Sequence, residues 1–179
     1  MSVRNQPATA NSKGLIRSTN RSGSDSGKLP GAARRAPRRL DPVVCERCGA
    51  VWSRRTWRKD RAITTAFLSR AQWTVCPACQ QVDEGSALGR VLLRGAYVRT
   101  NEAAIRRRIG NVAGHAQYTQ PQRRVISIDA DREGLEVLTT SQKLAHRIVH
   151  ELKKAFRGRA SYAWSDHDGA LLAMWRRDR

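Results

Sequence analysis

The sequence has few acidic residues and no long apolar run. Asp and Glu total 15 against 34 Lys and Arg in 179 residues, a formal net charge of +19. No apolar run approaches the roughly 20 residues that span a bilayer, so we expect no membrane segment. The only apolar pair near the start, Leu15-Ile16, is too short for a signal-peptide core, and we expect a cytoplasmic protein. The excess positive charge favours a polyanionic partner, nucleic acid above all.

Catalytic signatures are also scarce. No Ser-His-Asp set, phosphate-binding glycine loop or Cys-His pair stands out, so we expect no enzymatic activity. The nearest approach to a cluster of carboxylates is Asp129, Asp131 and Glu133. On a strand that leads into a turn, alternate side chains share one face, where these three could hold Mg²⁺. A charged hairpin tip is the commoner explanation. His146 and His150 have cationic neighbours, which opposes a second metal site.

Cysteine is rare but strictly patterned. The four residues form two Cys-x2-Cys pairs: Cys45 with Cys48, and Cys76 with Cys79. Four thiolates in this arrangement predict one structural Zn²⁺ in a zinc ribbon, with no open position for chemistry. The absence of a surrounding βαβ pattern argues against thioredoxin-like redox chemistry, and the absence of an export signal argues against disulfides. Gly49, directly after the first pair, is expected at positive φ.

The loop between the two pairs has 27 residues, more than the usual spacing of about 15–20. A short helix within residues 60–70 is expected to occupy part of it. Trp52 and Trp73 are predicted to form the small core of the ribbon, and Trp57 to be exposed for stacking on bases. The cations predicted to bind nucleic acid around Trp57 are Arg54, Arg55, Arg58 and Lys59.

The composition divides the chain into three parts. Residues 1–42 have almost nothing to bury and are expected to be a disordered basic arm. Residues 43–86 form the predicted ribbon, and residues 89–177 a second, α+β domain. The arm carries a proline-broken basic cluster that is expected to order on phosphates: Arg34, Arg35, Arg38 and Arg39. A solvated tail is the alternative.

Periodicity in the second domain predicts the order β-α-β-β-α-β-β. Its expected elements are a strand at 91–98, a helix after residue 101, a hairpin at 124–139, a helix at 141–156 and a hairpin at 160–175. We expect a ferredoxin-like antiparallel sheet with two helices on one face and the last strand extending an edge. Tyr162, Trp164 and Trp175 belong either to the core or to an open RNA-binding face. The predicted core is Leu93, Ile105, Ile109, Val112, Ile126, Ile128, Val137, Leu144, Ile148, Val149, Leu152 and Phe156.

The helix at 141–156 has one strongly basic face. Glu151 is its only acid, whereas an ordinary solvated face mixes both signs. Cations on one arc suit phosphate contacts that position a protein without reading sequence. The residues predicted to make these contacts are Lys143, Arg147, Lys153, Lys154 and Arg157.

Two motifs together resemble a known group. The Cys45-x2-Cys48-Gly and Cys76-Pro-x-Cys79 ribbon precedes Leu135-x-Val137-x-Thr139-Thr140-x3-Leu144-Ala145. This pattern resembles a small family of bacterial zinc-ribbon proteins and, more distantly, the nonsense-mediated-decay-protein-three family, whose members bind the large ribosomal subunit. This chain has one four-cysteine set where the larger relatives have more, and it lacks their further domains. The resemblance therefore implies contact with the ribosome or another structured RNA, but not nuclear export.

The leading hypothesis is a non-enzymatic, zinc-stabilised RNA-binding protein, associated with the ribosome or another structured RNA. The alternative is a DNA-binding transcriptional regulator that uses the ribbon and the basic arm. No helix-turn-helix pattern or recognition-helix residue set favours this alternative. The sequence leaves the oligomeric state open.

Overall fold

The computed structural model describes residues 43–53, 55–59 and 63–179, which belong to one compact unit, Arg38–Arg179. The predicted arm, with Arg34, Arg35, Arg38 and Arg39, lies outside the described residues, as does Arg54. No helix in the described part of the chain is long and apolar enough to cross a bilayer.

The first sheet contains four short strands: β1 (Val43–Cys45), β2 (Val51–Ser53), β3 (Thr56–Arg58) and β4 (Gln72–Thr74). Their order is β3-β2-β1-β4, with β4 parallel to β1 and the other pairs antiparallel. The helix predicted within 60–70 is a single turn, α1 (Thr65–Leu68), whose N-cap Thr64 accepts a hydrogen bond from the Phe67 N–H. Helix α2 (Pro77–Glu84) follows β4 and ends at Gly85, which has φ +65°.

The second sheet contains β5 (Gly89–Arg94), β6 (Val125–Asp131), β7 (Gly134–Thr139), β8 (Arg159–Trp164) and β9 (Leu171–Arg176). Helices α3 (Ala96–Thr100) and α4 (Glu102–Thr119) connect β5 to β6, and α5 (Gln142–Phe156) connects β7 to β8. The predicted order of strands and main helices is therefore present. The strand predicted at 91–98 is too long, because Gly95 at φ +103° ends it and α3 begins there.

The strand order in this sheet, β6-β7-β5-β9-β8, differs from our prediction. The last strand does not extend an edge: β9 lies between β5 and β8 and runs parallel to β5, so the sheet is mixed. Burial explains this placement. Leu171, Ala173 and Trp175 of β9 are buried, whereas β8 is exposed along most of its length. The more apolar strand of the hairpin thus occupies the interior position.

The core lies between this sheet and helices α4 and α5. Helix α4 buries one side chain per turn, and α5 buries a continuous stripe, as the 3.6-residue period predicts. Ile126, Ile128 and Phe156 were predicted in the core but are only partly buried. Trp175 is fully buried and therefore belongs to the core rather than to an open face, and its Nε1–H donates to the Arg157 carbonyl at 2.7 Å.

Candidate metal centre

The first cysteine pair is held by a tight turn at the end of β1. The Cys45 N–H donates to the Ala50 carbonyl at 2.7 Å, and the Gly49 N–H donates back to the Cys45 carbonyl at 2.8 Å. Gly49 has φ +67°, which confirms the prediction and suits a residue without a Cβ. This turn brings the Cys48 thiol back toward the Cys45 thiol.

The second pair opens helix α2. Cys76 is the N-cap, Pro77 occupies the first helical turn, and the Cys79 N–H donates to the Cys76 carbonyl at 2.9 Å. Parallel pairing of β4 with β1 sets Thr74 beside Cys45, so the second pair emerges next to the first. The Cys76 N–H accordingly reaches Cys45 Sγ at 3.3 Å. A helix N-terminus also favours negatively charged thiolates.

The four sulfurs form one compact set. All lie within 4.8 Å of one another, and the Cys45–Cys79 and Cys48–Cys76 Sγ distances are both 3.8 Å. A tetrahedron with metal–sulfur bonds of about 2.3 Å has edges of about 3.8 Å. The cysteines are free rather than disulfide-bonded, and their spacing fits a tetrahedral metal ion. Among the described residues they are the one group of three or more His, Cys, Asp or Glu side chains that could hold a metal.

The pKa values of these thiols are shifted in opposite directions. Burial raises the pKa of the Cys76 and Cys79 thiols above the ordinary value. Burial acts in the same direction on Cys45, but hydrogen bonds from the backbone of Cys76, Cys48 and Arg47 outweigh it and lower its pKa to about 6. A metal cation in the centre of the set would favour deprotonation of the Cys76 and Cys79 thiols as well.

Arg124 completes the site, and sequence reasoning missed it. It lies just before β6, and its Nη1 donates to Cys79 Sγ at 3.4 Å while its Nε donates to the Pro121 carbonyl at 2.9 Å. Its Nη2 is buried without a hydrogen-bond partner, and no carboxylate in the described part of the chain pairs with it. No signal in the sequence distinguishes it from the many other arginines.

The charge of Arg124 bears on whether the cysteines bind a metal. Burial alone would lower the pKa of Arg124, but the sulfurs of Cys48, Cys79 and Cys76 raise it. A partly buried guanidinium beside four neutral thiols would have no counter-charge, which is costly. Four thiolates around a divalent cation carry a net charge of about −2, which compensates it. The donor set and its neighbour both fit a bound divalent metal.

The tryptophans differ from the prediction. Trp57, predicted to be exposed, is 8% exposed and packs against Trp52 with ring centroids 5.6 Å apart. Trp73, predicted in the ribbon core, is 55% exposed. Trp52 packs against the buried cysteine cluster as expected. Both residues lie on edge strands, but Trp57 of β3 packs into the buried cluster that contains Cys45 and Cys76, whereas Trp73 of β4 does not.

The acidic group at 129–133 forms a hairpin tip. The Asp131 carboxylate accepts the Glu133 and Gly134 N–H groups, both at 2.8 Å. Arg94 pairs with Asp131 at 2.8 Å and with Glu133 at 3.2 Å. Asp131 and Glu133 are therefore partnered within the chain itself. His146 stacks on Tyr162 with ring centroids 4.8 Å apart.

The described cations predicted to bind nucleic acid are all exposed but lie in two places. Arg55, Arg58 and Lys59 lie on or beside β3 of the first sheet. The other group lies on and directly after α5: Lys143, Arg147, Lys153, Lys154 and Arg157.

Comparison of the chain with protein-family models and with curated proteins finds no match.

Proposed function

We propose that the protein is a non-enzymatic, zinc-stabilised RNA-binding protein that associates with the ribosome or another structured RNA. The observation that carries the proposal is an unpaired row of cations on α5. Lys143, Arg147 and Lys154 follow at i, i+4 and i+11, and all three are exposed. At 1.5 Å per residue this row is about 16 Å long, enough to contact several phosphates.

The row has no counter-charge of its own. Within the described residues Lys143, Arg147, Lys153, Lys154 and Arg157 have no ion-pair partner. Glu151, the one acid of α5, pairs instead with Arg108 of α4. Other acids also pair with cations that are not on α5: Asp83 pairs with Arg47, and Glu136 pairs with Arg90. An uncompensated cationic face with a buried apolar opposite face suits binding to a phosphate backbone.

Zn²⁺ is the proposed metal because four thiolates at tetrahedral spacing suit Zn²⁺ or an iron–sulfur site, and a closed Cys₄ set is typical of structural zinc. The proposed role of the metal is to hold the turn after β1 to the start of α2 and so to stabilise the first sheet. We further propose that the second sheet is a ferredoxin-like variant in which β9 is inserted beside β5. The resemblance to ribosome-binding zinc-ribbon proteins supports RNA over other polyanions.

The test is the salt dependence of binding to ribosomal RNA, measured by filter binding or co-sedimentation. A triple variant with Lys143→Gln, Arg147→Gln and Lys154→Gln is expected to bind less tightly. Its slope of log K against log salt should be shallower by about 2–3, since each lost phosphate contact removes about 0.7–0.9.

A second triple variant with Arg99→Gln, Arg107→Gln and Arg132→Gln removes the same charge from exposed positions off α5. It should lower the slope much less. Equal effects of the two variants would mean that α5 is not the contact surface. No RNA binding by the wild-type protein at low salt would refute the function, and tighter binding to duplex DNA would favour a DNA-binding regulator.

A further inference from the structure

Two adjoining cavities flank strand β3, and the smaller one borders the metal centre at Cys76. One, of about 230 Å³, is lined in part by Trp52, Arg55 and Trp57. The other, of about 460 Å³, extends past Arg58 to Tyr118 near the C-terminal end of α4. Thr56, Trp57 and Gln122 line both. The two cavities therefore lie side by side between the first sheet and the end of α4, and together they are called the groove.

The groove combines three kinds of side chain. Trp52, Trp57 and the 48% exposed Tyr118 supply aromatic surface. Thr56 and Gln122 supply a hydroxyl and an amide. The cations along its lining are Arg55, Arg58 and Lys59. Among the described residues that line it there is no carboxylate. Aromatic rings with amides and cations are the means by which proteins hold unpaired bases and the phosphates beside them.

The size of the smaller cavity limits what it can accept. Sites for drug-sized ligands have volumes of about 300–1,000 Å³, so a cavity of about 230 Å³ suits one planar ring system rather than a dinucleotide. The amide of Gln122 can both donate and accept a hydrogen bond, as the edge of a base requires. The exposed Arg55 is one of its lining residues.

The backbone at Arg55 is a second, independent observation. Arg55 has φ +65° in the connection between β2 and β3, where Ser53 pairs with Thr56. Two-residue hairpin connections strongly favour Asn or Gly at such positions, because a side chain strains the backbone there. Backbone strain of this kind is concentrated at functional sites, and here it places an arginine beside an aromatic cavity.

We propose that this groove binds a single unstacked nucleobase of a single-stranded nucleic acid, with the flanking phosphates on Arg55, Arg58 and Lys59. The proposal rests on the RNA-binding function proposed above and adds an unpaired segment to what is recognised. The base would enter beside Trp52 and Trp57, with Gln122 at its hydrogen-bonding edge. The row on α5 then contacts the backbone elsewhere.

Tryptophan fluorescence tests this directly. A Trp73→Phe/Trp164→Phe background removes two exposed indoles and leaves Trp52 and Trp57 with the fully buried Trp175. Single-stranded RNA and DNA hexamers and an RNA duplex are titrated in parallel. Either single strand should quench the fluorescence, and a preference for RNA would add a 2′-hydroxyl contact to the same groove.

Gln122→Ala should weaken single-strand binding about three- to tenfold, the effect of one lost hydrogen bond. Arg55→Asn, which tolerates the left-handed backbone, should also weaken it while the protein stays folded. Gln80→Ala, at an exposed position outside the groove, is the control and should change nothing. Duplex binding without quenching by single strands, or no effect of Gln122→Ala, would overturn this proposal alone. Failure of every nucleic acid to bind would overturn the proposed function as well.

Discussion

Replacing Arg124 with methionine tests whether the metal centre depends on the arginine beside it. Methionine keeps a long flexible side chain but removes the guanidinium that contacts Cys79 Sγ and the Pro121 carbonyl. The sulfur set then loses the guanidinium that donates to Cys79 Sγ, so the net negative charge of the metal–thiolate group is less well compensated. We expect weaker metal binding.

The expected loss of stability in Arg124→Met has two contributions. Loss of an outer-shell partner of a metal ligand typically lowers metal affinity about 10–100-fold, or about 1.4–2.8 kcal/mol. With metal in excess, the free energy of unfolding falls by the same amount, because only the folded chain binds the metal tightly. The lost hydrogen bond to Pro121 adds about 0.5–1.5 kcal/mol. Metal affinity, measured by competition with a chromogenic chelator, isolates the first contribution.

Arg123→Met is the matched control, because it removes the same charge from the adjacent position and Arg123 has no contact with the sulfurs among the described interactions. Arg124→Lys should fall between Arg124→Met and wild type, since an ammonium keeps the charge but not the planar fork. A metal affinity for Arg124→Met within about twofold of the Arg123→Met value would refute the electrostatic role of Arg124.

Three further predictions concern the fold and are checked by urea unfolding of the metal-loaded protein. Gly89→Ala should destabilise by about 1–3 kcal/mol, because its Cβ would overlap the Thr139 hydroxyl and lie 2.6 Å from the Ala145 Cβ; unchanged stability would contradict this packing. Gly114→Ala, on α4 with nothing within 4 Å of the new Cβ, should instead stabilise by about 0.5–1 kcal/mol, and a loss would mean that this face of α4 is covered. Ile148→Ala should cost about 2–5 kcal/mol, because Ile148 is fully buried; a loss below about 1 kcal/mol would contradict its place in the core.

The sequence was most informative where the local pattern determines the structure. Two Cys-x2-Cys turns bring their own sulfurs together, and Gly49 takes the backbone conformation that the first turn requires. The helices also follow from periodicity: Ile105 and Ile109 of α4 are buried as their spacing predicts, as is Leu144 of α5. These features depend on neighbours within a few residues.

Features that depend on long-range packing could not be predicted in this way. The position of β9 inside the sheet is decided by competition between two adjacent apolar strands for the place beside β5. The exposures of Trp57 and Trp73 depend on which strand pairs at which edge, and this is not encoded in their own neighbourhoods. Arg124 is 45 residues from the Cys79 thiol that it contacts, so nothing near it in the sequence indicates the metal centre.

The most direct test of the metal centre is the X-ray absorption spectrum of the purified protein at the zinc edge, with metal content from native mass spectrometry. We expect one zinc per chain, surrounded by four sulfurs at about 2.3 Å. A chain that folds without metal, or a metal shell dominated by nitrogen or oxygen at about 2.0–2.1 Å, would contradict the structural role assigned to the four cysteines.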